Sequence, residues 1–199
     1  MFQGKLDAQF QKKDNIEAQL SMPGSISLKP FDISELTDSN IQGWGKGKLD
    51  IKSLTRMLPL TGQEFEGDLD LDLGLEGTIS DLLWSGNLSL VDGSYDNFAS
   101  GTVLRDILAR IELDQYDIDI KEIKATDGED GQISARGRIY LNKAKKVSYD
   151  LSTEFDHVSL VRLDSVNADI SGELDMTGSL SSARLKGDLS VSPAEMRIP

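Results

Sequence analysis

Asp68, Asp70 and Asp72 are the residues whose type and spacing first suggest chemistry in this chain. Carboxylates at alternate positions can open a calcium loop. Such a loop needs glycine at its sixth position to turn sharply, and Leu73 stands there. Leucines fill the intervening places, so the run reads as the solvated face of a strand. Like charges two residues apart repel, which favours a polar, unpaired outer face. Gly43-Trp44-Gly45-Lys46-Gly47-Lys48 looks like a phosphate loop only superficially. The Walker spacing and the hydroxyl residue after lysine are missing, and no long helix follows to offer its N-terminus. Its glycines suit a strand that bends or packs closely.

His157 is the single histidine. In a short repeat it occupies the place held elsewhere by Ile33 and Ile51, and no G-x-S-x-G elbow accompanies it, so a general base is not expected. Asp127-Gly128-Glu129-Asp130-Gly131 is an acidic turn with no second motif to complete a site. Asn87-Leu88-Ser89 matches a glycosylation acceptor but lies inside a strand pattern. The expectation is therefore no catalytic residue, no metal site, no cofactor and no enzyme activity.

The elements that position these residues are strands. From Phe65 to Ile79 the odd positions are Phe65, Gly67, Leu69, Leu71, Leu73, Leu75, Gly77 and Ile79, while the even ones are mostly acidic. Successive side chains of a strand point to opposite faces, so one face is leucine and the other carboxylate. The run is about twice the usual strand length of roughly 5–6 residues. Lys5–Gln11, Ile16–Met22 and the glycine-rich Ile41–Ile51 alternate in the same way, separated by turns at Lys12–Asn15 and Pro23-Gly24. Pro30 breaks the pairing after Ile26 and Leu28. Short helices are expected at Phe31–Thr37 and Ser53–Leu58. Further strands carry Leu88 and Leu90 up to a turn at Asp92-Gly93, then Ile107 and Ile111. Ile118 and Ile120 follow a one-residue shift after Leu113 that reads as a turn or bulge. Ile133, Ile139 and Leu141 precede a basic turn at Asn142–Lys146; Tyr149, Leu151 and Phe155 follow it. The last third repeats the scheme with Leu174, Met176, Leu180 and Leu189. Around a dozen sequential, short-looped strands imply an all-β antiparallel meander.

Two internal repeats are visible. Residues near 67–91 recur near 172–191: Gly67-Asp68-Leu69-Asp70-Leu71 matches Gly172-Glu173-Leu174-Asp175-Met176, and Gly77 to Gly86-Asn87-Leu88-Ser89-Leu90 matches Gly178 to Gly187-Asp188-Leu189-Ser190-Val191. A helical punctuation recurs at Asp32–Leu36, Asp50–Leu54 and Asp156–Leu160. Repeats whose apolar face does not close on itself mark a quasi-one-dimensional array.

Of 199 residues, 38% are hydrophobic, and the formal net charge is −13 from 34 acidic and 21 basic residues. That charge opposes nucleic acid, whose binding rests largely on Lys and Arg, and opposes electrostatic docking to an anionic bilayer. It does not oppose contact with acyl chains, which respond to apolar area. Cysteine is absent, so there is no disulfide or thiolate zinc site. No apolar run approaches the roughly 20 residues that span a bilayer. The chain starts and stops in strand-like sequence, and residues 1–199 are expected to be one elongated segment of something longer.

The run Gly67–Tyr95 resembles the TamB family, part of the wider AsmA-like group. So does Val103–Leu141, with Asp106-Ile107, then Ala125-Thr126-Asp127-Gly128, then Gly131-Gln132-Ile133-Ser134-Ala135-Arg136-Gly137. The closing Ala194-Glu195-Met196-Arg197-Ile198-Pro199 is similar to that family's strand before its next segment. The resemblance implies a periplasmic piece of an inner-membrane-anchored envelope protein of diderm bacteria. It also implies an outer-membrane barrel partner, TamA or a BamA-like protein. The implied fold is a sheet curled lengthwise into an open U-shaped trough with an apolar lining, linked to phospholipid passage and outer-membrane protein assembly. The expected lining is Leu69, Leu71, Leu73, Leu75, Ile79, Leu88, Leu90, Ile107, Ile111, Ile118, Ile120, Ile133, Ile139, Leu141, Tyr149, Leu151, Phe155, Leu174, Met176, Leu180 and Leu189, with phospholipid acyl chains as its occupant. Two other readings compete. One is a chaperone-like scaffold that offers a sheet edge to outer-membrane β-strands; the other is a passive solenoid filled by its own side chains.

Overall fold

A computed structural model describes residues 2–8, 15–22, 40–55, 61–78, 81–141, 147–163 and 166–192. The expected turn at Pro23-Gly24, the short strand after it and the helix at Phe31–Thr37 lie outside the described residues. So do Ile79, the basic turn at Asn142–Lys146 and the closing Ala194–Pro199.

The strands are β1 (Phe2–Ala8), β2 (Asn15–Met22), β3 (Asn40–Asp50), β4 (Gln63–Thr78), β5 (Asp81–Asn97), β6 (Thr102–Gln115), β7 (Asp117–Thr126), β8 (Gln132–Leu141), β9 (Val147–Leu163), β10 (Val166–Ser179) and β11 (Ser182–Ser192). They form one sheet in sequence order, each antiparallel to the next, with β1 and β11 at opposite edges. The sheet does not close into a barrel. The all-β meander expected from the alternation is thus the fold, and the open sheet accords with a trough. Among the described residues one helix, α1 (Ile51–Thr55), interrupts it between β3 and β4.

Three local expectations are corrected. The helix begins at Ile51 rather than Ser53, because the Asp50 carboxylate accepts the Lys52 N–H at 2.9 Å and caps it. Asp92-Gly93 is not a turn: β5 continues to Asn97, with register shifts between Leu90 and Tyr95. Asp156–Leu160 is not helical but lies within β9, where the pairing with β10 slips between Ile170 and Gly172. Asp92, Asp106 and His157 each have φ of 51°. A left-handed non-glycine residue is uncommon, and here it marks the extra residue of a bulge, which locally bends its strand. The shift expected after Leu113 is the tight turn at Tyr116 between β6 and β7.

The 67–91 and 172–191 repeats are equivalent hairpins. Leu73 pairs Gly86 as Leu174 pairs Gly187, and Gly77 pairs Leu82 as Gly178 pairs Ala183. A Cβ on Gly86 would lie 2.0 Å from the Asp72 carbonyl oxygen, and one on Gly187 2.1 Å from that of Glu173. Glycine at these places therefore follows from close strand approach.

Candidate functional site: one uncovered apolar face

Residues directly opposite one another in a sheet share a face. One such row crosses the whole sheet: Ala8, Ile16, Gly47, Leu71, Leu88, Ile111, Ile120, Gly137, Leu151, Met176 and Leu185. Every member is apolar or glycine. At the usual strand spacing the row is roughly 50 Å long.

Neighbouring rows extend it. Leu73, Gly86, Leu113, Ile118, Ile139 and Tyr149 form one, and Leu69 pairs Leu90 in another. Leu75 pairs Trp84, Ile133 pairs Phe155, Leu174 pairs Thr153, and Leu189 pairs Gly172. Leu141 pairs Val147, and Ile107 returns to the face beside Gly93 after the bulge. Leu180 instead falls in the β10–β11 turn and is 80% exposed. Trp84, Leu113, Ile123, Val147, Leu185 and Val191 also share the face; two-residue periodicity marks them within each strand.

Nothing covers this face among the described residues. Ile41, Leu49, Ala125 and Val158 are the buried apolar residues there. The leucines and isoleucines of the rows are half-buried, shielded by one another, while Glu66, Asp68, Asp72 and Glu76 on the other face are exposed. At β11 shielding ends: Leu185 and Val191 are 61% and 60% exposed.

The carboxylate face is paired, against expectation. Lys46 and Lys48 on β3 sit opposite Asp72 and Asp70 and reach them at 2.6 and 3.1 Å. Lys52 pairs with Glu66. The alternation that spaces the aspartates also spaces the lysines, so the strands meet charge to opposite charge. Further along, Asp119 is held below the usual carboxylate range by hydrogen bonds from Lys121 and Arg138. Each pair has at least one well-exposed member at the sheet surface, so each adds little stability. No group of His, Asp or Glu among the described residues is arranged to hold a metal.

One buried polar cluster was missed in the sequence. The tip of the β7–β8 hairpin, Asp127–Gly131, is tucked under a direct contact between β6 and β9. The Arg162 N–H donates to the Ser100 carbonyl at 3.0 Å, and the Thr102 hydroxyl donates to the Leu160 carbonyl at 2.6 Å. Gly101, with φ of 68°, lies so close that a Cβ would sit 1.9 Å from the Arg162 carbonyl oxygen. Asp127, 2% exposed, accepts N–H groups from Glu129, Gly131 and Ser159 at 3.0, 3.1 and 3.0 Å. Arg162 Nη2 stands 2.9 Å from its Oδ2, an electrostatic contact off the hydrogen-bond axis. Burial pushes the Asp127 carboxyl up, but the N–H groups of Ser159 and Glu129, Arg162 and the Gly131 N–H outweigh it and hold it below the usual range. The acidic turn was visible in the sequence; its arginine, 35 positions away (162 − 127), carried no signal.

No curated protein and no solved structure matches the chain. A family model does: residues 121–199, spanning β7 to β11, match the TamB C-terminal domain. That family is an envelope-associated transport and assembly component of diderm bacteria. Over residues 121–199, the chain is similar to the TamB family.

Proposed function

We propose that the apolar face is a groove along which phospholipid acyl chains pass between the inner and outer membranes. The segment would lie in the periplasm, within an inner-membrane-anchored protein whose barrel partner is TamA or a BamA-like protein. The observation that carries this reading is the apolar row running unbroken from β1 to β11, with no second layer over it among the described residues. Exposed apolar patches beyond a few hundred Å2 usually mark a binding surface, and this one is long and built mostly of aliphatic side chains. Acyl chains need no sequence-specific contacts, only continuous removal of apolar area from water. Inward curvature is supported by the asymmetry of exposure, since side chains converge on a concave face and splay on a convex one. The paired charged face keeps such a sheet in solution. Neither a catalytic role nor a cofactor is needed.

A passive solenoid would bury these residues against one another, and four buried apolar side chains among the described residues do not form such a core. Strand addition for outer-membrane clients keeps one supporting observation: every position of β11 is exposed. The test is lipid mass spectrometry on the purified chain, beside a delipidated control, together with photo-crosslinkers at Leu88, Ile120 and Leu151 in the full-length protein in cells. Lipid adducts at all three are expected. Protein adducts alone would favour the client-strand reading.

A further inference from the structure

Trp44 stands on the charged face, opposite Gln19 on β2 and Gly74 on β4, and is 41% exposed. Around it the face changes character. The row through it runs Gln19, Trp44, Gly74, Ser85, and the next runs Ser21, Gln42, Glu76, Leu83. On the other side the rows read Glu17, Lys46, Asp72, Asn87 and Asn15, Lys48, Asp70, Ser89, tied by ion pairs. A patch of amides and hydroxyls with one carboxylate thus interrupts a charged surface. Gly74 brings no side chain beside the indole, and a hollow of about 420 Å3 opens there. Small-ligand sites run from roughly 300 to 1,000 Å3.

We propose that this hollow is a carbohydrate-binding site for an uncharged pyranose chain. An indole is a flat apolar platform with low conformational freedom, matched to the C–H face of a sugar ring. Gln42, Ser21 and Ser85 supply neutral donors and acceptors for hydroxyls, and Glu76 supplies one strong acceptor. Trp44 Nε1 donates to Gln19 Oε1 at 3.3 Å, which holds the ring in place before any ligand arrives. The net charge of −13 disfavours polyanionic saccharides and nucleotides, which would stack equally well but bring phosphate or sulfate charge. The site lies on the opposite face from the groove and does not rest on that reading.

The test is intrinsic fluorescence of the chain carrying Trp84→Phe, so that Trp44 is the sole reporter, titrated with a β-1,4-linked N-acetylglucosamine tetrasaccharide. A saturable shift is expected, weakened about tenfold in Gln42→Ala or Glu76→Gln, variants that leave thermal unfolding unchanged. Trp44→Ala is expected to abolish tetrasaccharide binding measured by calorimetry; should it fail to fold, the other two variants decide. No saturable shift, or equal shifts in all variants, would mean that Trp44 only shields Gly74, and would overturn the proposal. A response to choline instead of saccharide would also overturn it, assigning a cation site. Pull-down on insoluble β-1,4-linked N-acetylglucosamine polymer against flotation with vesicles of a neutral glycolipid separates a free glycan from a lipid-borne sugar, either supporting the site.

Discussion

Asp127 and Arg162 meet at 2.9 Å where the start of β6 touches the end of β9, at the most enclosed point of an otherwise open sheet. Their side chains are 3% and 24% exposed, and Val158 beside them is fully buried. β7 and β8 stop at Thr126 and Gln132, and past the hairpin tip the start of β6, with the turn before it, meets the end of β9 through two hydrogen bonds. The bulges at Asp106 and His157 flank that tip and bend the two strands. The cluster thereby pins the sheet at one place.

Removing Arg162 leaves the Asp127 carboxylate enclosed with its three N–H donors but without its countercharge. Arg162→Ala is expected to cost about 2–3 kcal/mol of stability, at the low end for a buried pair because the arginine is partly solvated. Urea unfolding gives the magnitude. Hydrogen exchange of the backbone amide at position 162 should quicken in the variant; an unchanged midpoint and unchanged exchange would show that β6 and β9 hold together without the pair.

The same cluster sets a pH dependence. The Asp127 carboxyl is held below its ordinary value in the fold, so the unfolded chain binds more protons between the two values, and stability rises with pH there. Its contribution is complete above the ordinary carboxylate range, about 3.9 for aspartate, and is lost as pH falls through the lower folded value. Urea midpoints followed from pH 7 downward should therefore converge between the wild type and Asp127→Asn as acid is added. A gap that stays constant to low pH would remove Asp127 as the source.

Leu71 occupies the apolar row midway along β4, with Asp70 beside it on the charged face. Leu71→Arg would cost several kcal/mol if the site were a closed core, but little if the guanidinium can stay hydrated. The 199-residue chain is expected to keep its thermal transition, while the same substitution in the envelope protein proposed above abolishes envelope integrity. A folded variant with normal envelope function would refute a conduit at this position. Cysteines at Leu71 and Asp70 should also differ in reaction with a water-soluble reagent.

Gly86 and Gly187 hold equivalent places in the two hairpins, and each leaves no room for a Cβ. Gly86 lies between two paired strands and has φ of 128°, so Gly86→Ala has no route to relax. A loss of roughly 2 kcal/mol or more is expected. β11 has no outer neighbour among the described residues and can shift, so Gly187→Ala should cost distinctly less. Thermal unfolding of the two variants side by side tests the order; equal losses would argue against the freedom of β11.

Much of this molecule was determined locally. Period-two alternation from Phe65 to Ile79 and in the strands around it sets strand, face and the sequential meander, because side-chain direction in a strand depends only on parity. The glycine-marked repeat and the TamB resemblance were likewise present in the residues. Parity fails where a strand gains a residue: Asp92-Gly93 reads as a turn and Asp156–Leu160 as a helix, yet both are bulges held by neighbouring strands. The lysines facing Asp70 and Asp72 depend on the register of β3 against β4, which hydrogen bonds between distant segments decide. The partner of Asp127 depends on β6 and β9 outrunning the hairpin between them. Local sequence settles what a residue points away from; only the assembled sheet settles what it points toward.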